Sequence, residues 1–402
     1  MGFVDPSTAL IVSFIFLAIL VYKRVNLGIT LTSTAMLLAL LSLEWREIPT
    51  VIFETTVNPL TISLVIATFG IMLLSLLYKE TKVIDDLSKS LSRIANNSKL
   101  VVSTLPAIIG LLPVAGGALM SAPLVEAETD KLGLKADKKT YVNVWFRHTI
   151  FPVYPINQVL ILTAMLTGLT VTSIIIRQIP VVISMVIVGY LIGLWKTPTA
   201  DKKKNSKTSL GPELKRFIIT FSPILATIIA VIGFNVNVAI SAFIGVAVLL
   251  IVAKPNLKVF AKPFRNWAIY GITLAAYGAF LLRNVVEAIG ISEIFGAFVA
   301  NGSVDILLLL TVIPAVLGFF VGSPLGGVAI SYSILAGVLS FTPKSAALLS
   351  ISTYLGYVIS PTHLCLVLTA DYFKCPLGKL YKYLIPSLAF SLATAILLYV
   401  LA

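Results

Sequence analysis

Leu105-Pro106-Ala107-Ile108-Ile109-Gly110 and Ile313-Pro314-Ala315-Val316-Leu317-Gly318 read alike at an offset of 208 residues. That coincidence decides how the whole chain is organised. Gly70 and Gly278 share the same offset of 208. After a two-residue insertion, Gly116-Gly117-Ala118-Leu119-Met120-Ser121 lies against Gly326-Gly327-Val328-Ala329-Ile330-Ser331. Further on, Tyr154-Pro155-Ile156-Asn157-Gln158-Val159-Leu160-Ile161-Leu162-Thr163 faces Ser360-Pro361-Thr362-His363-Leu364-Cys365-Leu366-Val367-Leu368-Thr369, offset 206. Leu-on-Val matches between hydrophobic helices carry little weight. Prolines and glycines in the same order carry more, because they mark where the backbone must change course.

Composition says where such a chain lives. Of 402 residues 58% are apolar and 12% charged, against roughly 25% charged in soluble globular domains. Ten apolar segments are long enough for a hydrocarbon core of ~30 Å: about 7–22, 27–43, 51–78, 141–169, 174–195, 217–234, 237–253, 266–284, 345–369 and 381–401. Two more, about 101–125 and 305–340, are interrupted by Gly and Pro and read as re-entrant hairpins that enter and leave on one side. Met1–Pro6 has no basic run before the first apolar stretch, so that stretch reads as a permanent span.

The net charge of +13 suggests nucleic acid until its distribution is read. With the N-terminus outside, the cytoplasmic segments are 23–24, 79–140, 196–216, 254–265 and 370–382, and they hold 25 of the 30 Lys and Arg. This is the positive-inside pattern, and no nucleic-acid partner is expected. The run Lys202-Lys203-Lys204 becomes a linker. The reading is therefore an all-α polytopic membrane protein with about ten transmembrane helices plus two re-entrant hairpins. Residues 1–200 form a first repeat, 201–216 a basic cytoplasmic linker and 217–402 a second repeat. Five crossings per half invert the second copy and place both termini outside the cell membrane. Segments 82–95 and about 286–299 are amphipathic and suit helices lying in the interface.

In hydrocarbon every backbone polar group must be paired, so broken helices survive only inside protein or beside water. Gly110 to Gly117 and Gly318 to Gly327 are such breaks, giving Gly116, Gly117, Ser121, Ser323, Gly326 and Gly327 as candidate contacts of a solute. Gly318, Gly322 and Gly326 also suit close helix packing. The Pro-marked turns at 151–158 and 359–363 add Asn157, Gln158, Ser360 and Thr362, with Asn157 and His363 in equivalent places. Either residue serves the site or caps its helix. Arg147 binds an anion or snorkels to the cytoplasmic edge. His363 is the candidate for coupling to protons. His148 and His363 are the only two histidines, and as isolated residues they make no metal site. Cys365 and Cys375 lie near the cytoplasmic edge, with no disulfide expected.

Two inverted halves, each with a Gly/Ser/Pro-rich hairpin tip and a later Pro-broken span, resemble the ion transporter superfamily of secondary carriers. Residues 360–369 look most like an uncharacterised prokaryotic family within it. The resemblance implies a homodimer with a scaffold of spans one to three and six to eight, and a moving elevator domain. Ser-Asn-Thr at the tips, which marks carboxylate carriers, is absent from Pro113-Val114-Ala115-Gly116 and Ser323-Pro324-Leu325-Gly326. The expected function is secondary transport of a small anionic solute coupled to H+ or Na+, with no other cofactor and no enzymatic activity. A cation–proton antiporter is the alternative, weakened because no carboxylate falls in mid-span. An intramembrane enzyme lacks its nucleophile or metal cluster, and a channel does not call for duplicated, separately closing halves.

Overall fold

The computed structural model describes residues 4–94, 97–112, 117–198, 210–290, 305–336 and 338–401, which are helical with no β-strand among them. The first half runs α1 (Pro6–Tyr22), α2 (Leu27–Ser42), α3 (Ile48–Val57), α4 (Pro59–Glu80), α5 (Val83–Ile94) and α6 (Ser98–Gly110). It continues α7 (Ala118–Lys131), α8 (Ala136–Thr149), α9 (Gln158–Thr167) and α10 (Val171–Gly193). The second half runs α11 (Leu210–Ile228), α12 (Val238–Ala253), α13 (Leu257–Ala261), α14 (Trp267–Ala288) and α15 (Ile306–Val321). α16 (Pro324–Leu335), α17 (Pro343–Val358), α18 (Leu364–Tyr372) and α19 (Leu377–Leu401) complete it.

Helix starts are written locally. Asp5, Asn26, Asn58, Asn97, Asn157, Asn237, Asn266 and Asp305 each accept a backbone N–H of the following turn, satisfying donors that hydrocarbon cannot. One such start changes an expected span. The apolar run 51–78 is two helices, α3 and α4, because Asn58 caps Leu60 at 2.9 Å and Pro59 has no N–H to continue α3. The amphipathic segment 82–95 is α5. Of 286–299 only the first residues are described. Lys202–Lys204, Pro113–Ala115, the candidate Gly116 and Asn301-Gly302-Ser303, whose Asn-x-Ser pattern is that of a glycosylation acceptor, lie outside the described residues.

Six helical stretches among the described residues are long and apolar enough to cross a bilayer. On α10 the exposed apolar side chains include Ile176, Ile179, Ile183, Ile187 and Leu191, spaced at three and four residues. Protein leaves this apolar stripe uncovered. The interior instead holds Asn143, Arg147, His148 and Gln178, all buried. Apolar outside and polar inside is the pattern of a multi-pass membrane protein.

Close contacts fix how the helices sit. α2 runs along α14 and α4 along α12. A Cβ on Gly278 would meet Thr32 N at 2.9 Å, and one on Gly70 would meet the Ala242 Cβ at 3.1 Å. α6 packs on α8 and α15 on α17. There a Cβ on Gly110 would meet Arg147 O at 2.5 Å, and one on Gly318 would meet Thr353 O at 2.0 Å. α7 leans on α18, and α16 on α9. Trp145 anchors α8 to α10, donating from Nε1 to Met185 O at 2.8 Å. These approaches bring the two broken segments together.

Candidate functional site

Each break is bridged by one side chain. After α8, Phe151–Val153 makes a single 3₁₀ turn, and Pro152 and Pro155 have no N–H to continue the ladder. The Asn157 amide spans the gap. Its Nδ2 donates to Phe151 O at 2.7 Å, and its Oδ1 accepts the Val159 N–H at 2.9 Å. In the second half α17 ends at Val358, and His363 reaches back with Nδ1 to Val358 O at 3.1 Å. Ser360 Oγ lies 2.7 Å from Thr362 Oγ1 and receives the Thr362 N–H at 3.2 Å. The equivalent placement of Asn157 and His363 thus has a structural cause: a polar side chain at the next helix start reaches back to a backbone carbonyl on the far side of the break.

A cavity of about 380 Å³ lies where the breaks meet. Arg147, His148 and Phe151 line it from the end of α8, and Asn157 and Gln158 from the start of α9. Gly322, Ser323 and Pro324, between α15 and α16, form another wall. Tyr354 and Tyr357 of α17, with Thr362, Leu364 and Cys365 around the start of α18, complete it. Asn26, Leu27, Met72 and Gly271 close it from α2, α4 and α14. The starts of α9, α16 and α18 therefore all reach this space, each bringing the positive end of a helix dipole.

Two donors in the wall are unspent. Arg147 is 2% exposed; Nη2 donates to Leu112 O at 3.3 Å, but Nη1 has no partner among the described residues. Gln158 Nε2 is likewise buried and unpaired among the described residues. Leaving a buried charged donor unsatisfied is costly. No Asp or Glu is among its described lining residues.

The other candidate residues divide. Ser323 caps α16 at 3.5 Å from Gly326 N and lines the cavity. Thr362 lines it beside Gly322, whose φ of 62° and lack of Cβ admit the threonine hydroxyl. Ser121 is tied to Asn143 Oδ1 at 2.6 Å and joins α7 to α8. Gly117 is buried where α7 begins. Gly326 packs on Val321 and Leu27, and Gly327 on Thr353 and Gly318. Ser360 Oγ is held within the second break. Ser121, Gly117, Gly326, Gly327 and Ser360 are not among the residues lining the cavity.

The aromatic wall was not anticipated. The His148 ring lies 5.8 Å from Phe151, 6.3 Å from Tyr354, 6.1 Å from Tyr357 and 4.6 Å from His363, centroid to centroid. The two histidines do not stand alone: His148, His363 and Cys365 each bring a ligand-capable atom within 4.8 Å of the others. The signal was present, since Tyr354 and Tyr357 sit 206 residues after His148 and Phe151, the offset of the broken spans. Cys365, expected at the cytoplasmic edge, is buried in the first turn of α18.

The chain belongs to the family described as "Protein of unknown function (DUF401)", whose profile matches residues 6–402. No curated protein sequence matches it. Its fold is that of the Alcanivorax borkumensis YdaH transporter, with a TM-score of 0.66 over 96% of this chain and 97% of that one at 15% identity.

Proposed function

We propose that this protein is a secondary active transporter carrying a small anionic solute across the cell membrane, coupled to H+ or Na+. The observation that carries the proposal is Arg147 Nη1, unpaired among the described residues, in a cavity with no carboxylate among its described lining and faced by the starts of α9, α16 and α18. A buried guanidinium beside helix N-termini is complementary to carboxylate or phosphate oxygens. A cation–proton antiporter would need an acidic group at that place. The likeness in fold to a named transporter supports the class.

The duplication gives the mechanism. In this reading the halves are inverted repeats of five crossings, with α6–α7 and α15–α16 as re-entrant hairpins. Support comes from matched contacts, with α2 on α14 answering α4 on α12 and α7 on α18 answering α16 on α9. The scaffold is α1–α4 with α11–α14. The hairpins, with α8–α10 and α17–α19, move as one body against it in a homodimer, elevator fashion, and both termini lie outside.

A thermal-shift screen of organic and inorganic anions, with Na+ and pH varied, identifies the solute, and counterflow in proteoliposomes then tests the class. Internal unlabelled solute should accelerate uptake of the labelled solute. Uptake indifferent to internal solute would indicate a channel. Stabilisation by cations alone would contradict the choice of an anion.

A further inference from the structure

We infer that His148, His363 and Cys365 form a site for a thiophilic d-block cation, Zn2+ in the first instance, with one coordination position open to the cavity. This assignment stands on its own geometry, whatever solute the protein carries. The three residues are all buried, and one ligand-capable atom of each lies within 4.8 Å of the other two. The ring orientations are set from behind. His148 Nδ1 is 2.6 Å from Val144 O, and His363 Nδ1 is 3.1 Å from Val358 O.

A carbonyl oxygen only accepts, so each Nδ1 carries a proton, and a ring bearing that one proton keeps a bare lone pair on Nε2. The His363 Nε2 has no nitrogen or oxygen hydrogen-bond partner among the described residues, only the Cys365 thiol beside it, and His363 is 0% exposed. A ring nitrogen bonded to a backbone carbonyl, with the opposite nitrogen left bare, is the arrangement that orients metal-ligating histidines. The nearly perpendicular rings, 86° between planes with centroids 4.6 Å apart, direct two lone pairs from different sides. Cys365 adds a thiol from the first turn of α18.

The donor set selects the ion. Two imidazoles and a thiolate suit borderline and soft cations such as Zn2+, whereas Mg2+ and Ca2+ take oxygen ligands. Three protein ligands also leave a tetrahedral ion one free position. His148 and Cys365 belong to the cavity wall, so that position and the route of entry both face the cavity. On binding, the Cys365 S–H bond breaks, an S–metal bond forms and one proton leaves through the cavity. No electron is transferred. The Arg147 guanidinium in the same wall opposes a bare dication, and the thiolate offsets one of the ion's two charges.

The test uses the full chain in detergent, stripped of metal and then dialysed against Zn2+ or titrated with Co2+. Wild type should retain one Zn2+ per chain and develop the Co2+–thiolate charge-transfer absorption. Cys365→Ser should lose that absorption and weaken Zn2+ binding by at least about tenfold, and Cys375→Ser should do neither. His148→Gln and His363→Gln should weaken binding similarly, and a thermal melt of each variant before metal addition separates lost binding from lost folding. Substoichiometric Zn2+ in wild type overturns the site. So does a Cys365→Ser protein, folded by its melt, that binds with wild-type affinity, or Mg2+ competing on equal terms.

Discussion

Arg147→Gln should abolish accumulation of the solute while leaving the protein at least as stable as wild type. The two effects part because the guanidinium is buried with Nη1 unpaired. In the empty protein its hydrogen bond from Nη2 to Leu112 O only partly offsets the cost of desolvating the charge. With an anion bound it supplies a charge-assisted hydrogen bond, whose loss costs about 2 kcal/mol or more, roughly thirtyfold in affinity. Thermal melts of purified protein, with and without the solute, check both halves of the expectation. Arg147→Lys should recover only part, because an ammonium lacks the planar fork. If Arg147 merely snorkelled to the cytoplasmic edge, the Gln variant would transport normally.

Gly318→Ala and Gly356→Ala should be the most damaging single changes to the fold. A Cβ on Gly318 would stand 2.0 Å from Thr353 O, and one on Gly356 would stand 1.9 Å from Ala315 O. Both obstacles are backbone and cannot rotate away, so α15 and α17 must separate. Overpacking of this kind costs about 1–3 kcal/mol and at times more. Here it also displaces Ser323 and Thr362 from the cavity, so the expected result is a lower melting temperature together with lost solute stabilisation. Gly211→Ala, where a Cβ meets nothing within 4 Å, is the matched control and should change neither.

Much of this architecture was legible in the sequence because Pro and Gly act locally. Pro155 and Pro361 mark the turns between α8 and α9 and between α17 and α18 whatever packs around them, whereas Pro106 and Pro314 lie inside α6 and α15, which run on through them. Asn58 ahead of Pro59 was equally local, but the hydrophobic run 51–78 masked the boundary between α3 and α4. The site was only half legible. Polar residues beside the prolines led to Asn157, Gln158, Thr362 and Arg147. Capping was one of the two roles read for Asn157 and His363, and Asn157 does cap α9; that each also reaches back across its break could not be read, because it depends on where Phe151 O and Val358 O are left. The meeting of His148 with His363 and Cys365 joins residues 148 and 363 across two halves. No spacing rule within one helix reports such a pairing. Gly326 and Gly327 show the converse, since their absent side chains admit neighbouring helices and do not face the cavity.

The central claim is that the solute binds where the two broken segments meet. A cryo-electron microscopy map of the full chain with the identified anion at saturating concentration tests this most directly. The predicted result is added density inside the cavity of about 380 Å³, against Arg147 Nη1 and Gln158 Nε2 and close to Ser323 and Thr362. Density instead in the hollow between α10, α17 and α19, around Gln178, Ala347 and Tyr399, with the central cavity unchanged, would contradict it.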